Sequence, residues 1–157
     1  MGNATEAREF RKAVFDRCVA LFAADVDPYT RVSRGLPAFA DAQDNVCVGA
    51  VTFTQEPVVL SPLRKREETL TCEVRFYSFR FGGVEMEEIV EARAYAMLDR
   101  LAEYVRVTDT TLGGVVRHCF LTDGAADEAT DPDVLGKGRM HVLSATLTAV
   151  VRVGGDS

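Results

Sequence analysis

The side chains best suited to chemistry in this chain are two histidines and four cysteines. His118 and Cys119 are neighbours, which invites comparison with a nucleophile and its base. A catalytic pair needs the imidazole within hydrogen-bond reach of the thiol and an acid behind the imidazole. Adjacent residues of a strand point to opposite faces, so this pair cannot meet directly. His141 stands alone at the start of a long apolar-alternating run. The patterns Gly-x-Ser-x-Gly and His-x-x-x-His are both absent. Cys18, Cys47, Cys72 and Cys119 are unevenly spaced, with no Cys-x-x-Cys, and zinc prefers ligand pairs close in sequence. Each lies in an apolar stretch, which predicts buried, reduced thiols made in a reducing cytoplasm.

Three further patterns fail on spacing. Gly136-Lys137-Gly138 resembles the end of a phosphate loop, but the required earlier glycine falls on Asp131 and the required Ser or Thr on Gly138. Asp127, Asp131 and Asp133 suggest calcium, yet position 12 counted from Asp131 is Val142 instead of Glu. Gly113-Gly114 has no lysine or helix start beside it to cradle a phosphate. The expectation is a protein with no catalytic centre, no metal and no cofactor. A reading of a different class is a small cytosolic enzyme or ligand-binding protein, with its chemistry at residues 25–45 and His118.

The whole-chain numbers are ordinary for a soluble globular protein. The 157 residues make one domain, 1–157, with 47% hydrophobic and 27% charged residues. The net charge of −6 opposes generic nucleic-acid binding, because gripping phosphates requires a basic surface. No apolar run is long enough to span a bilayer. The start, Met-Gly-Asn-Ala-Thr-Glu, lacks a signal pattern, and Glu6 stands where myristoylation wants Ser or Thr.

The elements follow from periodicity. Ala7, Phe10, Val14, Cys18 and Leu21 form one face of a helix, with Asn3 and Glu6 as a capping box. Residues 25–45 read as a long irregular connector carrying Tyr29, Arg31, Arg34, Leu36 and Phe39. In the strand Val46–Thr54, Val46, Val48 and Ala50 share one face; Cys47, Gly49, Val51 and Phe53 share the other. Leu70, Cys72, Val74 and Phe76 alternate with Thr71, Glu73, Arg75 and Tyr77 in the clearest strand. A second helix carries the stripe Met86, Ile89, Val90, Met97, Leu98, Leu101 and Val105, with acids in its first turn where the macrodipole favours them. A strand over Val115–Thr122 leads to an acidic loop, 123–138. The closing strand, about Arg139 to Val153, is long enough that it should bend or overrun the sheet. Its residues Leu143, Ala145, Leu147, Ala149 and Val151 should face the helices; Ser144, Thr146 and Thr148 should face away. The fold class is α+β: a mainly antiparallel β-sheet with two helices packed on one face and a projecting β-hairpin arm.

That arm is the charged run Leu63-Arg64-Lys65-Arg66-Glu67-Glu68. Arg64, Lys65, Arg66, Glu67 and Glu68 are the expected subunit or partner contacts, since mixed charge sets register between copies. The helix over Ala4–Phe22, the arm around Pro57–Glu68, the helix Glu85–Arg106, the turn Asp109-Thr110-Thr111-Leu112-Gly113-Gly114-Val115, the acidic loop and the closing strand together resemble the tail terminator (tail completion) proteins of long-tailed bacteriophages. The resemblance covers almost the whole chain and lies in element order more than in fixed residues. It implies a structural virion protein, not an enzyme, that caps the tail tube as a homo-hexameric ring, ends tail polymerisation and presents a face for head joining. The implied partners are further copies of the chain, the tail tube protein and a head-completion or connector protein. DNA passes through without specific binding, and no membrane or cofactor is involved. The implied location is the virion neck, reached from the host cytoplasm during assembly. Another head–tail neck protein is the alternative within that setting.

Overall fold

The computed structural model describes residues 4–22, 30–35, 44–57, 66–127 and 138–153. In chain order its elements are helix α1 (Ala7–Phe22), strands β1 (Thr30–Arg34), β2 (Asp44–Pro57) and β3 (Arg66–Phe81), helix α2 (Glu87–Glu103), and strands β4 (His118–Asp127) and β5 (Gly138–Val153). A single 3-10 turn, Val84–Met86, opens α2, and a π turn, Tyr104–Thr108, extends it. The five strands form one sheet in the order β1-β2-β3-β5-β4. All neighbouring pairs are antiparallel except β1 and β2, which are parallel. The α+β class expected from the sequence is therefore the observed one.

Both helices lie on the same face, because their apolar stripes join one core with alternate residues of the sheet. Phe10, Ala13, Val14, Cys18 and Phe22 enter it from α1; Val90, Ala94, Met97 and Leu101 are the buried residues of α2. The spacing of these positions is that of one helical face. Ile89, expected in the stripe, is 48% exposed. Leu70, Cys72, Val74 and Phe76 of β3 are fully buried, and Leu143, Ala145, Leu147, Ala149 and Val151 of β5 are buried beside them. The two faces of β5 are thus arranged as its alternation predicts. Phe22 meets Phe76 edge to face at 6.2 Å, and the Arg100 guanidinium lies 4.9 Å over the Phe22 ring, closing the end of the core between the helices.

Four sequence expectations are corrected. β1 lies inside the segment read as an irregular connector, and its partner is the remote Asp44–Val48. β2 does not keep one alternation: its register with β3 shifts between Val48 and Val51. The extra residue of this bulge reverses the phase, so Val51 pairs with Cys72 and Phe53 with Leu70 on the helix side. Gly49 permits the bulge, for a Cβ there would stand 2.9 Å from the Glu73 carbonyl oxygen. β4 starts at His118 instead of Val115 and continues to Asp127, so the start of the acidic stretch is strand. Finally, β5 neither bends away nor overruns the sheet. β3 is equally long, and the two pair from Arg66–Val153 to Phe81–Gly138.

Candidate interaction surface

The middle of the sheet face turned away from the helices is built mainly from short polar side chains, with His118, Phe120, Val142 and Val150 toward its borders. Thr71 and Glu73 of β3 and Ser144, Thr146 and Thr148 of β5 reach it because each alternates with a core residue. Thr52 from β2 and Thr122 from β4 complete it. Their hydroxyls bond sideways: Thr52 to Thr71, Thr122 to the Thr148 hydroxyl at 2.7 Å, and the Ser144 hydroxyl to the Ala125 carbonyl at 3.3 Å. Satisfied laterally, they present methyl and methylene groups with little need for a ligand. A shallow depression of about 430 Å³ opens between Gly49, Ala50, Thr52, Thr71, Glu73, Arg75 and Thr146. Its charges cancel: Arg75 donates to Glu73, and this bond, with one to Tyr77, raises the arginine's pKa. Further along, Arg117 pairs with Glu67 at 3.0 Å. Glu56 and Asp123 stand on the same side of the sheet by register.

His118 and Cys119 lie on opposite sides of β4, as strand geometry requires. Cys119 is fully buried against Ala149, and burial pushes its thiol pKa up to about 12. Cys18 and Cys72 are pushed up to about 12 by the same cause. All four cysteines are free and buried. His118 sits half-buried with its ring 5.0 Å from that of Phe120. His141 is buried on the other face, 6.0 Å from Tyr95 of α2. Among the described residues no three His, Cys, Asp or Glu side chains gather as a metal set, and no helix is long and apolar enough to cross a membrane.

The five residues expected on the arm are separated by the fold. Arg64 and Lys65 lie outside the described residues, as do residues 58–63 of the same connection. Arg66, Glu67 and Glu68 are the first residues of β3, within the sheet. Glu68 is fully buried. One of its carboxylate oxygens accepts the Glu6 backbone N–H at 2.8 Å and the other accepts the Gln55 amide at 2.6 Å. It thus closes the start of α1 from 62 residues away, while the Thr5 hydroxyl accepts the Ala7 N–H at 3.1 Å. The first-turn N–H groups of a helix have no internal partner, and an anion there also meets the positive end of the dipole. This correction removes Glu68 from the exposed contacts. The expected cap, Asn3, lies outside the described residues.

Two anchoring groups went unread in the sequence. Asp44, fully buried at the start of β2, accepts from the Ser78 hydroxyl at 2.7 Å, Arg80 at 2.8 Å and Arg93 at 2.7 Å. Arg93 comes from α2, so this carboxylate ties the β1–β2 edge to the helix layer. A lone aspartate between Ala42-Gln43 and Asn45 gives no sequence signal of such a role. The second group explains the Leu-Gly-Gly turn. Leu112, Gly113 and Gly114 all have positive φ, at 49°, 70° and 88°. Glycine adopts this region at little cost, while Leu112 accepts it because its side chain is buried in the core. Asp109 holds the turn, accepting the Gly113 N–H at 2.9 Å and Arg17 of α1 at 2.8 Å. Those bonds depress the Asp109 pKa, the Gly113 N–H contributing most.

No family model matches the chain, and none of the curated proteins does. Among solved structures, it is similar to a chain of the virion of a native gene transfer agent particle. The two superpose with a TM-score of 0.54 at 14% identity, over 98% of this chain and 100% of that one. At that identity the likeness is one of fold, and it runs end to end: the virion chain and this one share the same α+β architecture.

Proposed function

We propose that this chain is a structural virion protein, and that it caps the tail tube of a phage-like particle as a ring. The observation that carries the reading is the end-to-end fold likeness to a chain of a virion particle. The surface supports it. A face carrying laterally bonded hydroxyls and the ion pairs Arg75–Glu73 and Arg117–Glu67 suits a wall past which a duplex moves, since these arginines are engaged by carboxylates and offer DNA little grip. The ring is taken to be a hexamer, its partners the tail tube protein on one side and a head-completion or connector protein on the other, and its place the neck. It carries no turnover and no cofactor in this reading. In the arm, Arg64, Lys65, Arg66 and Glu67 set register against a neighbouring subunit or the tube; Glu68 is assigned to the fold.

The test is genetic and visual. Particles assembled without the chain should carry tails of uncontrolled length that fail to join heads, and purified chain added to bare tubes should appear as a ring at one end by negative-stain microscopy. Tails of normal length joined to filled heads in its absence would overturn the assignment. Replacing Arg64, Lys65 and Arg66 by Ser should leave the monomer folded and slow capping; unchanged capping would remove the arm from the interface.

A further inference from the structure

The two outer edges of the sheet complement each other. On one side, β1 covers β2 only from Asp44 to Val48; among the described residues nothing pairs with that side of β2 from Val51 to Pro57. On the other side, β4 is the last strand and its outer edge is unpaired among the described residues. Open edges of this length are templates for another strand. They share a height over His118–Leu121 and Val51–Thr54, because the pairing rows run straight across: Phe53–Leu70–Ala149–Cys119, and next to it Val51–Cys72–Leu147–Leu121; the rest of β4 lies level with the part of β2 that β1 covers. Among the described residues, three of the sheet's four exposed large apolar side chains fall near these heights, Phe81 at the far end of β3 being the fourth. Phe53 is 54% exposed at the β2 edge, and Phe120 and Leu121 are 51% and 36% exposed at the β4 edge.

Direction fits as well. From β2 to β3 to β5 to β4 every step is antiparallel, so β2 and β4 run in opposite senses. A second copy placed alongside in the same orientation therefore meets β4 with its β2 antiparallel, and the alternation continues unbroken across the junction. Charge adds a third match. Glu56 and Glu67 stand directly opposite each other in β2 and β3, a repulsive like-charge pair. Arg117, just before β4, has a side chain 57% exposed and already pairs with Glu67 of its own chain. Continuing the rows brings a neighbour's Arg117 to the level of Gln55 and Glu56. Both long edge strands also carry a bulge, at Val48/Val51 and Leu121/Asp123, at the height where β1 ends. A bulge bends its strand, so β4 can follow β2 above that height and step past β1 below it.

We infer that copies of this chain join head to tail through their sheets, the outer edge of β4 in one copy pairing with the Val51–Pro57 edge of β2 in the next. The contact is heterologous, and such contacts generate closed rings when the rotation closes and filaments when it does not. Closure into a ring rests on the function proposed above; the edge pairing itself rests on the sheet.

The experiment uses the full chain carrying Phe53→Cys and Leu121→Cys together, treated with a short bis-maleimide. The native cysteines are buried, so only the introduced thiols react. Edge pairing predicts a ladder of linked species on denaturing gels, while either single variant links two copies at most. Arg117→Glu and Glu56→Arg should each reduce the assembled fraction at least tenfold, and the double exchange should restore it. A ladder ending in one closed species supports both readings. A ladder without an end supports edge pairing and overturns the ring. Assembly seen by native mass spectrometry without a ladder, and indifferent to both charge reversals, overturns edge pairing and leaves the ring standing. Absence of a ladder and of any assembly, alone or on tail tubes, overturns both.

Discussion

Replacing Glu68 separates the two roles that sequence and structure assign to it. The carboxylate is fully buried and accepts the Glu6 N–H at 2.8 Å and the Gln55 amide at 2.6 Å. Loss of a helix cap costs about 0.5–2 kcal/mol. The hydrogen bonds here are charge-assisted, and one such bond is worth about 1.5–3 kcal/mol. The two figures describe overlapping contacts and do not add, so Glu68→Ala should destabilise the monomer by about 2–3 kcal/mol. Glu68→Gln keeps the shape and one acceptor oxygen and should cost about 1 kcal/mol, the scale of a neutral hydrogen bond. For a domain of this size each kcal/mol moves the midpoint by about 2–4 °C, which predicts a fall of roughly 4–12 °C for Ala. Urea titration of dilute chain should show a lower midpoint with an unchanged slope. Gln55→Ala should lose much of its own effect in the Glu68→Ala background, because the two side chains bond each other. If the stability of Glu68→Ala lay within about 0.5 kcal/mol of the parent (the usual size of a surface substitution's effect) and the variant yet failed to assemble, the capping argument would be wrong and Glu68 would return to the subunit contacts.

Neighbouring residues of β5 give a second contrast: Leu147→Ala should cost about 2–5 kcal/mol as a core truncation, whereas Thr146→Ala should cost under about 0.5 kcal/mol, as a surface change does; thermal melts of the two variants settle the sheet's phase. The cysteines should resist iodoacetamide at pH 8 in the folded chain, since burial pushes Cys18, Cys72 and Cys119 up to about 12 and the thiolate is the reactive form. Mass spectrometry should find all four modified once urea is added, and fast labelling of Cys119 in the native chain would contradict its burial. Asp109 supplies a pH dependence. Its folded pKa is lowered, so its contribution is present above the ordinary 3.8 and is lost as pH falls through the lower folded value. Asp109→Asn should therefore cost about 1 kcal/mol at neutral pH, the worth of a typical hydrogen bond, and the gap from the parent should close as acid unfolding is followed downward; a gap independent of pH would assign the loss to shape instead of charge.

The sequence by itself determined what repeats locally. β3 and β5 alternate strictly because each packs one face on helices and leaves the other wet, so Leu70 to Phe76 and Leu143 to Val151 announce their sides without any partner in view. The stripes of α1 and α2 are legible for the same reason, at helical spacing. The separation of His118 from Cys119 was legible too, since adjacent residues of a strand point to opposite faces. What depends on a remote partner was hidden. β1, with Arg31, Ser33 and Arg34 among its five residues, has no alternation of its own and exists by pairing with Asp44–Val48. The bulge after Val48 inverts β2 because β3 fixes the register, not because Gly49 and Ala50 demand it. Glu68 looked like a surface charge in a charged run, and only the return of α1 to the start of β3 places a helix N-terminus over it. The paired edges of the sheet are hidden in the same way: Phe53 and Leu121 fall in adjacent rows only once β2, β3, β5 and β4 are laid side by side. Periodicity reports which side of an element is dry, whereas register between elements is set by contacts many residues apart, and those contacts also decide which polar groups find partners within the chain and which are left for another copy.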